Sequence, residues 1–155
     1  MRMNTVPERL AALRAAMAAN GVAVYLIPVG DPHASEYLPC HYTSLTWFSG
    51  FHGENSNFVV TRTESALWAD GRYFVQAEKE IAGTEIKLQR MGEPGVPTVE
   101  EYCANALNEG EALGLCGLTA STALVNDLKK ALEKKGASIK TLNLEDELWT
   151  EGRPA

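Results

Sequence analysis

Two short apolar runs near the middle of the chain, NFVVT (Asn57 to Thr61) and SALWAD (Ser65 to Asp70), are separated only by Arg62-Thr63-Glu64. Short runs rich in β-branched and aromatic residues read as strands. So brief a link lets the two pair only as an antiparallel hairpin, because a parallel return needs a crossover of roughly a dozen residues or more. Whatever sheet the chain builds must contain that hairpin.

Around it, helical and extended patterns alternate. Thr5 caps a helix whose first turn accepts Pro7, since the missing N–H would have no helical partner there. Leu10, Leu13 and Met17 recur at helical spacing, and Gly21 ends the helix. VAVYLIP (Val22 to Pro28) is a continuous apolar run, hence a buried strand. After the hairpin, GRYFVQAEKEI (Gly71 to Ile81) sets Tyr73 or Phe74, Ala77 and Ile81 on one helix face. TEIKLQRM (Thr84 to Met91) alternates as a strand does, and Pro94-Gly95 with Pro97 marks a loop. Thr98 starts a helix, TVEEYCANALN, with acids in its first turn, where the helix dipole favours them. A strand ALGLC, an amphipathic helix ending at Gly136, a strand ASIKTLN and a short helix LEDELWT complete the order.

Strands alternating with helices predict a sheet covered on both faces, and the hairpin makes that sheet mixed. The expected class is α/β, a central mixed β-sheet flanked by helices on both faces, in a single domain over residues 1–155. The chain is long enough to bury a core of its own. Its composition, 45% hydrophobic and 22% charged, is that of a globular protein rather than a disordered one.

Charge narrows the partners. With a net charge of −6 and no run of Lys or Arg suited to neutralise a phosphate backbone, nucleic acid is not an expected partner. The densest basic stretch, KKALEKK (Lys129 to Lys135), reads as the solvated face of a helix. No apolar stretch is long enough for a membrane span, and the N-terminus lacks the apolar core of a signal peptide, so a cytoplasmic protein is expected. Cys40, Cys103 and Cys116 are odd in number and widely spaced, which suits reduced thiols better than disulfides or a zinc site.

The unusual part is GDPHASEYLPCHYTSLTWFSGFHGENSN (Gly30 to Asn57), which carries all three histidines among repeated Gly and Pro. Asp31-Pro32 suits a local turn, and Ser35 can cap another in Ser35-Glu36-Tyr37. Trp47, Phe48 and Phe51 suit a core, with Gly50 and Gly53 permitting chain reversal. Asp31, His33, Glu36, His41, His52, Glu54 and Asp70 are the side chains able to ligate a metal. Most sit on one loop, which does not supply the rigid neighbouring elements a metal needs, so no metal site is expected. Asp70 suits the N-cap of the following helix. Arg72 opposes the helix dipole there, so either a neighbouring acid pairs it or its planar fork reaches a ligand.

IPVGDPHASEYL (Ile27 to Leu38), WFSGFHG (Trp47 to Gly53) and LWADGRYFVQA (Leu67 to Ala77), in that order, resemble the N-terminal domain of aminopeptidase P, a Xaa-Pro aminopeptidase of the creatinase/prolidase group. The closing LEDELWTEGRP (Leu144 to Pro154) resembles the end of that domain, and the Asp31–Tyr37 segment is most similar to the three-domain enzymes. The middle of the chain matches only in element order. Where relatives carry small residues after the phenylalanine and glycine, this chain has Glu54-Asn55-Ser56-Asn57.

The resemblance implies the creatinase/prolidase N-terminal fold, which is ribonuclease H-like. It implies a non-catalytic domain, inactive by itself, that shapes access for peptides with proline in second position and supports a homodimer. The metallopeptidase chemistry would lie in a C-terminal domain absent from this chain, on two divalent ions, manganese by expectation, with no cofactor here. Arg72 becomes the candidate substrate contact; His33, Glu36, Tyr37 and Trp47 become weaker candidates lining the cleft; Asp70, Gly71, Gly50 and Gly53 become structural. The alternative is a stand-alone peptide- or protein-binding module of the same fold, for which a basic peptide suits the acidic balance. A free-standing hydrolase has no complete constellation to support it, since Cys40 beside His41 and Ser49 outside a nucleophile elbow do not make one.

Overall fold

The computed structural model describes residues 5–28, 48–51, 56–69, 71–115 and 122–141. The elements are α1 (Val6–Ala19), β1 (Val24–Pro28), β2 (Asn57–Thr61), β3 (Ser65–Ala69), α2 (Phe74–Glu80), β4 (Lys87–Arg90), α3 (Val99–Ala106), β5 (Ala112–Leu115), α4 (Thr122–Glu133) and β6 (Ser138–Thr141). The strands form one sheet in the order β4-β3-β2-β1-β5-β6. β2 pairs antiparallel with β1 and with β3. The pairs β3–β4, β1–β5 and β5–β6 are parallel. The sheet is therefore mixed, with β2 opposing the other strands, and the hairpin is its source.

Strand alternation sorts the apolar residues between two faces. On one face Tyr25, Ile27, Phe58, Val60 and Leu67 pack against Leu10, Leu13 and Met17 of α1 and Ala77 of α2. On the other, Val24, Leu26, Val59, Trp68 and Leu113 pack against Val99 and Cys103 of α3 and Leu128 and Leu132 of α4. Helices thus cover both faces, as the alternation predicts. α4 turns Leu128 and Leu132 inward and leaves Lys129 and Lys130 exposed, the solvated face expected for KKALEKK. Cys103 is buried, and burial pushes its thiol well above the ordinary range, so it stays an inert apolar group.

One position ties the sheet together. Tyr25 on β1 lies opposite Gly114 on β5. A Cβ at Gly114 would lie 2.9 Å from Cδ2 of Tyr25 and 3.3 Å from Val22 Cγ1. Glycine is required here for close approach of the ring.

Several boundaries differ from the sequence-based expectation. β1 begins at Val24, because Gly21 turns at φ 71° and the N–H of Val22 closes α1 on the Met17 carbonyl at 3.0 Å. The helix expected from Gly71 is a tight 3₁₀ turn over Gly71–Tyr73, and α2 proper starts at Phe74. Tyr73 occupies its cap position without a side-chain cap bond, its ring packed edge-on to Phe51 instead. α4 stops at Glu133, since the Ala137 N–H returns to the Leu132 carbonyl at 3.0 Å around Gly136 at φ 72°. The short helix expected over Leu144–Thr150 lies outside the described residues.

Candidate functional site

The topology decides where the unusual stretch is anchored. β1, β3, β4, β5 and β6 run in one direction and β2 runs in the other. The carboxyl ends of those strands and the amino end of β2 therefore share one sheet edge. Residues 29–56 connect the end of β1 to the start of β2 at that edge, and the Gly71–Tyr73 turn follows the end of β3 there. In open α/β sheets the carboxyl edge is where ligands bind.

Phe48–Phe51 shows how the stretch is pinned. Phe48 and Phe51 are fully buried against the α1–α2 face. The buried Ser49 hydroxyl accepts the Phe51 N–H at 3.2 Å, making a local turn. Gly50 turns at φ 82°, in the left-handed region. Its Cβ position is 3.8 Å from the Glu80 carbonyl at the end of α2 and from Val6 at the start of α1. Phe51 meets Tyr73 edge to face, with ring centroids 6.0 Å apart. Such a pair adds about 0.5–1.5 kcal/mol beyond area burial. It joins the end of the unusual stretch to the turn that carries Arg72.

Arg72 is the middle residue of the 3₁₀ turn. Gly71 opens that turn, with open space around its Cβ position. His33, Glu36, Tyr37, Trp47, Gly53 and Asp70 lie outside the described residues, as do Asp31, His41, His52 and Glu54. Of the site residues singled out from the sequence, Gly50, Gly71 and Arg72 are described, and the Phe51–Tyr73 ring contact links the segment holding Gly50 to the turn holding Gly71 and Arg72. Just before β2, the Ser56 hydroxyl is buried without a hydrogen-bond partner among the described residues.

The sequence reading overlooked a cavity at the same edge. It has a volume of about 400 Å³ and lies where β3 and β4 end and α3 begins. Trp68, Met91, Val96 and Pro97 supply apolar lining, and Glu93 and Glu100 bring carboxylates. The Trp68 indole N–H donates to the Pro97 carbonyl at 2.9 Å, fixing the wall to the sheet. The Met91 N–H donates to the Ala69 carbonyl at 3.1 Å, carrying the β3–β4 pairing into the loop. Gly92 and Gly95 turn at φ 85° and 81°. The Gly-Glu-Pro-Gly-Val-Pro run (92–97) was the available signal, but only the parallel pairing of β3 with β4 places it over Trp68.

Perturbed carboxylates sit at the opposite edge, around the β2–β3 turn. The Tyr102 hydroxyl and the Lys87 ammonium donate to Glu64 and hold its carboxyl below the ordinary value of 4.5. Arg14 forks onto both oxygens of Glu85, at 2.8 and 2.6 Å, and lowers it against the opposing effect of burial; Ser65 assists. The Asn108 N–H and Arg62 lower Glu111. All three are satisfied ion pairs that close the sheet's far end. A smaller cavity of about 300 Å³ at that end is lined by the already paired Arg14, Arg62 and Glu111. Among the described residues no three His, Cys, Asp or Glu side chains are grouped to hold a metal ion.

Residues 9–148 match the Creatinase/Prolidase N-terminal domain family. The chain belongs to that family. This N-terminal domain is 39% identical over 154 residues to Aminopeptidase P2 of Arabidopsis thaliana, covering 96% of this chain and 22% of that protein. It superposes on the crystal structure of X-prolyl aminopeptidase from Caenorhabditis elegans, described as a cytosolic enzyme with a di-nuclear active site, with a TM-score of 0.88 and 33% identity. That match covers 99% of this chain and 26% of the other. The N-terminal domain of the cytoplasmic peptidase PepQ from Mycobacterium tuberculosis matches with a TM-score of 0.63 and 25% identity, covering 90% of this chain and 95% of that one. The chain thus spans about a quarter of the Arabidopsis and Caenorhabditis proteins. No described helix is long and apolar enough to cross a membrane.

Proposed function

We propose that this chain is the non-catalytic N-terminal domain of a metal-dependent Xaa-Pro aminopeptidase, and that it shapes the access of peptides with proline in second position to a separate catalytic domain. The observation that carries this reading is the shared sheet edge. The turn bearing Arg72 follows β3 there, the chain leaves β1 at Pro28 and enters β2 at Asn57 at the same edge, and the Phe51–Tyr73 contact ties the Phe48–Phe51 segment to that turn. The sequence and structural kinship with aminopeptidases P supports the reaction class. In this reading Arg72 contacts the peptide, with His33, Glu36, Tyr37 and Trp47 lining the cleft and Asp70, Gly71, Gly50 and Gly53 shaping it. The two divalent ions, manganese by preference, belong to the catalytic domain; when bound they supply the activated water. The parent is cytoplasmic and a homodimer.

The test is hydrolysis of a Xaa-Pro tripeptide with manganese chloride present, by the complete parent protein and by the 155-residue chain. The parent is expected to cleave the bond before proline and the chain alone to leave the peptide intact. Cleavage by the isolated chain, or a parent without peptidase activity, would overturn the proposal.

A further inference from the structure

We propose that the cavity over Trp68 binds a short basic–apolar peptide segment, with an apolar side chain against Met91, Val96 and Pro97 and a neighbouring Lys or Arg side chain against the carboxylates of Glu93 and Glu100. The volume, about 400 Å³, is in the range of small-ligand and side-chain pockets and far larger than a packing void. Its wall is fixed in advance: Trp68 holds the Pro97 carbonyl, Met91 extends the strand pairing, and Gly92 and Gly95 set the turn. Trp68 itself is only 2% exposed, so the half-buried Met91, Val96 and Pro97 supply the apolar contact, and the preset loop spares a ligand the cost of ordering it.

Charge selects the occupant. Glu93 and Glu100 have no ion-pair partner among the described residues. The nearest cations of β4 are committed elsewhere, Lys87 to Glu64 and Arg90 to Glu78. Arg90 also lies over the Phe74 ring at 5.6 Å, on the α2 side of the sheet. An anion is disfavoured by the two carboxylates, and a cation beside the apolar group would meet both of them. Asn57 lines the cavity beside Trp68, its strand partner, and brings an amide able to hydrogen-bond a peptide backbone. The site stands on the face covered by α3 and α4, across the sheet from the Phe51–Tyr73 contact, and it does not depend on the peptidase reading.

The experiment uses the isotopically labelled 155-residue chain and two blocked dipeptides, N-acetyl-arginyl-phenylalanine amide and N-acetyl-glutamyl-phenylalanine amide. Neither has a free N-terminus or a proline, so neither probes aminopeptidase action. The arginyl probe is expected to give saturable amide shifts at Gly92, Glu93, Val96 and Val99 and at the Trp68 indole N–H. Raised salt should weaken binding. Glu93→Gln with Glu100→Gln should weaken it between about twofold and thirtyfold, as two rim-exposed charge pairs would. Equal shifts from both probes, shifts confined to other parts of the chain, no saturable shift, or an unchanged affinity in the double variant would overturn the proposal.

Discussion

Gly114 shows how a single residue sets the packing of the central strands. Alanine there must push the Tyr25 ring, because its methyl carbon would lie 2.9 Å from Cδ2 of that ring and 3.3 Å from Val22. Overpacking of this kind costs about 1–3 kcal/mol. Urea unfolding of Gly114→Ala should show that loss, and a stability equal to the parent chain's would mean the ring has somewhere to go. The sequence offered ALGLC as a strand, but nothing in it named Gly114, since the constraint comes from a partner almost ninety residues earlier in the chain. Thr98 is the opposite case. Its role was readable from Thr followed by two acids, and its hydroxyl does accept the Glu101 N–H at 3.2 Å. Local chemistry is visible in sequence when both partners are close along the chain.

At the scale of elements, the hairpin and the alternation of helices and strands were legible because each element's periodicity is its own. Ends were less so. Gly21 and Gly136 mark helix stops correctly, yet the neighbouring strand or helix begins or ends two or three residues away, where hydrogen bonds close the turn. α3 also forms part of the cavity wall, so its cap matters to the site. Thr98→Ala should cost about 1 kcal/mol of stability, within the usual span for such caps, measured by denaturant unfolding with circular dichroism. No change would show that the exposed cap bond is replaced by water without loss.

The β2–β3 turn is fastened to α1, α3 and β4 through Glu64, Glu85 and their partners. Both carboxyls are lowered from an ordinary 4.5 in the fold. Groups lowered on folding contribute stability that is complete above the unfolded value and is lost as pH falls through the folded one. Stability should therefore drop below about pH 4.5. Glu85→Gln should lower stability at neutral pH and flatten the acid limb, because the variant has no carboxylate to protonate there. Urea midpoints from pH 7 to pH 3 check this, and parallel curves for the two proteins would contradict it.

For the molecule as a whole, the mixed sheet with helices on both faces was readable from element order, and the family from three motifs spread across the chain. The meeting at one edge of the strand ends that flank those motifs was not readable. It follows from strand directions, which bring Ala69, Pro28 and Asn57 to the same end of the sheet. The cavity over Trp68 was hidden for the same reason, since parallel pairing of β3 and β4 brings its wall and floor together. Among the described residues the carboxylates held below their ordinary value lie at the opposite edge, where they mark structural fastening.

The most direct test of the central claim is kcat/KM for a Xaa-Pro peptide with Arg72→Ala introduced into the complete parent protein. A lost charged hydrogen bond to substrate is worth about 1.5–3 kcal/mol, so a fall of roughly tenfold to a hundredfold is expected, with Arg72→Lys recovering only part of it. An unchanged kcat/KM would contradict the account, because the turn that carries Arg72 would then play no part in meeting the peptide.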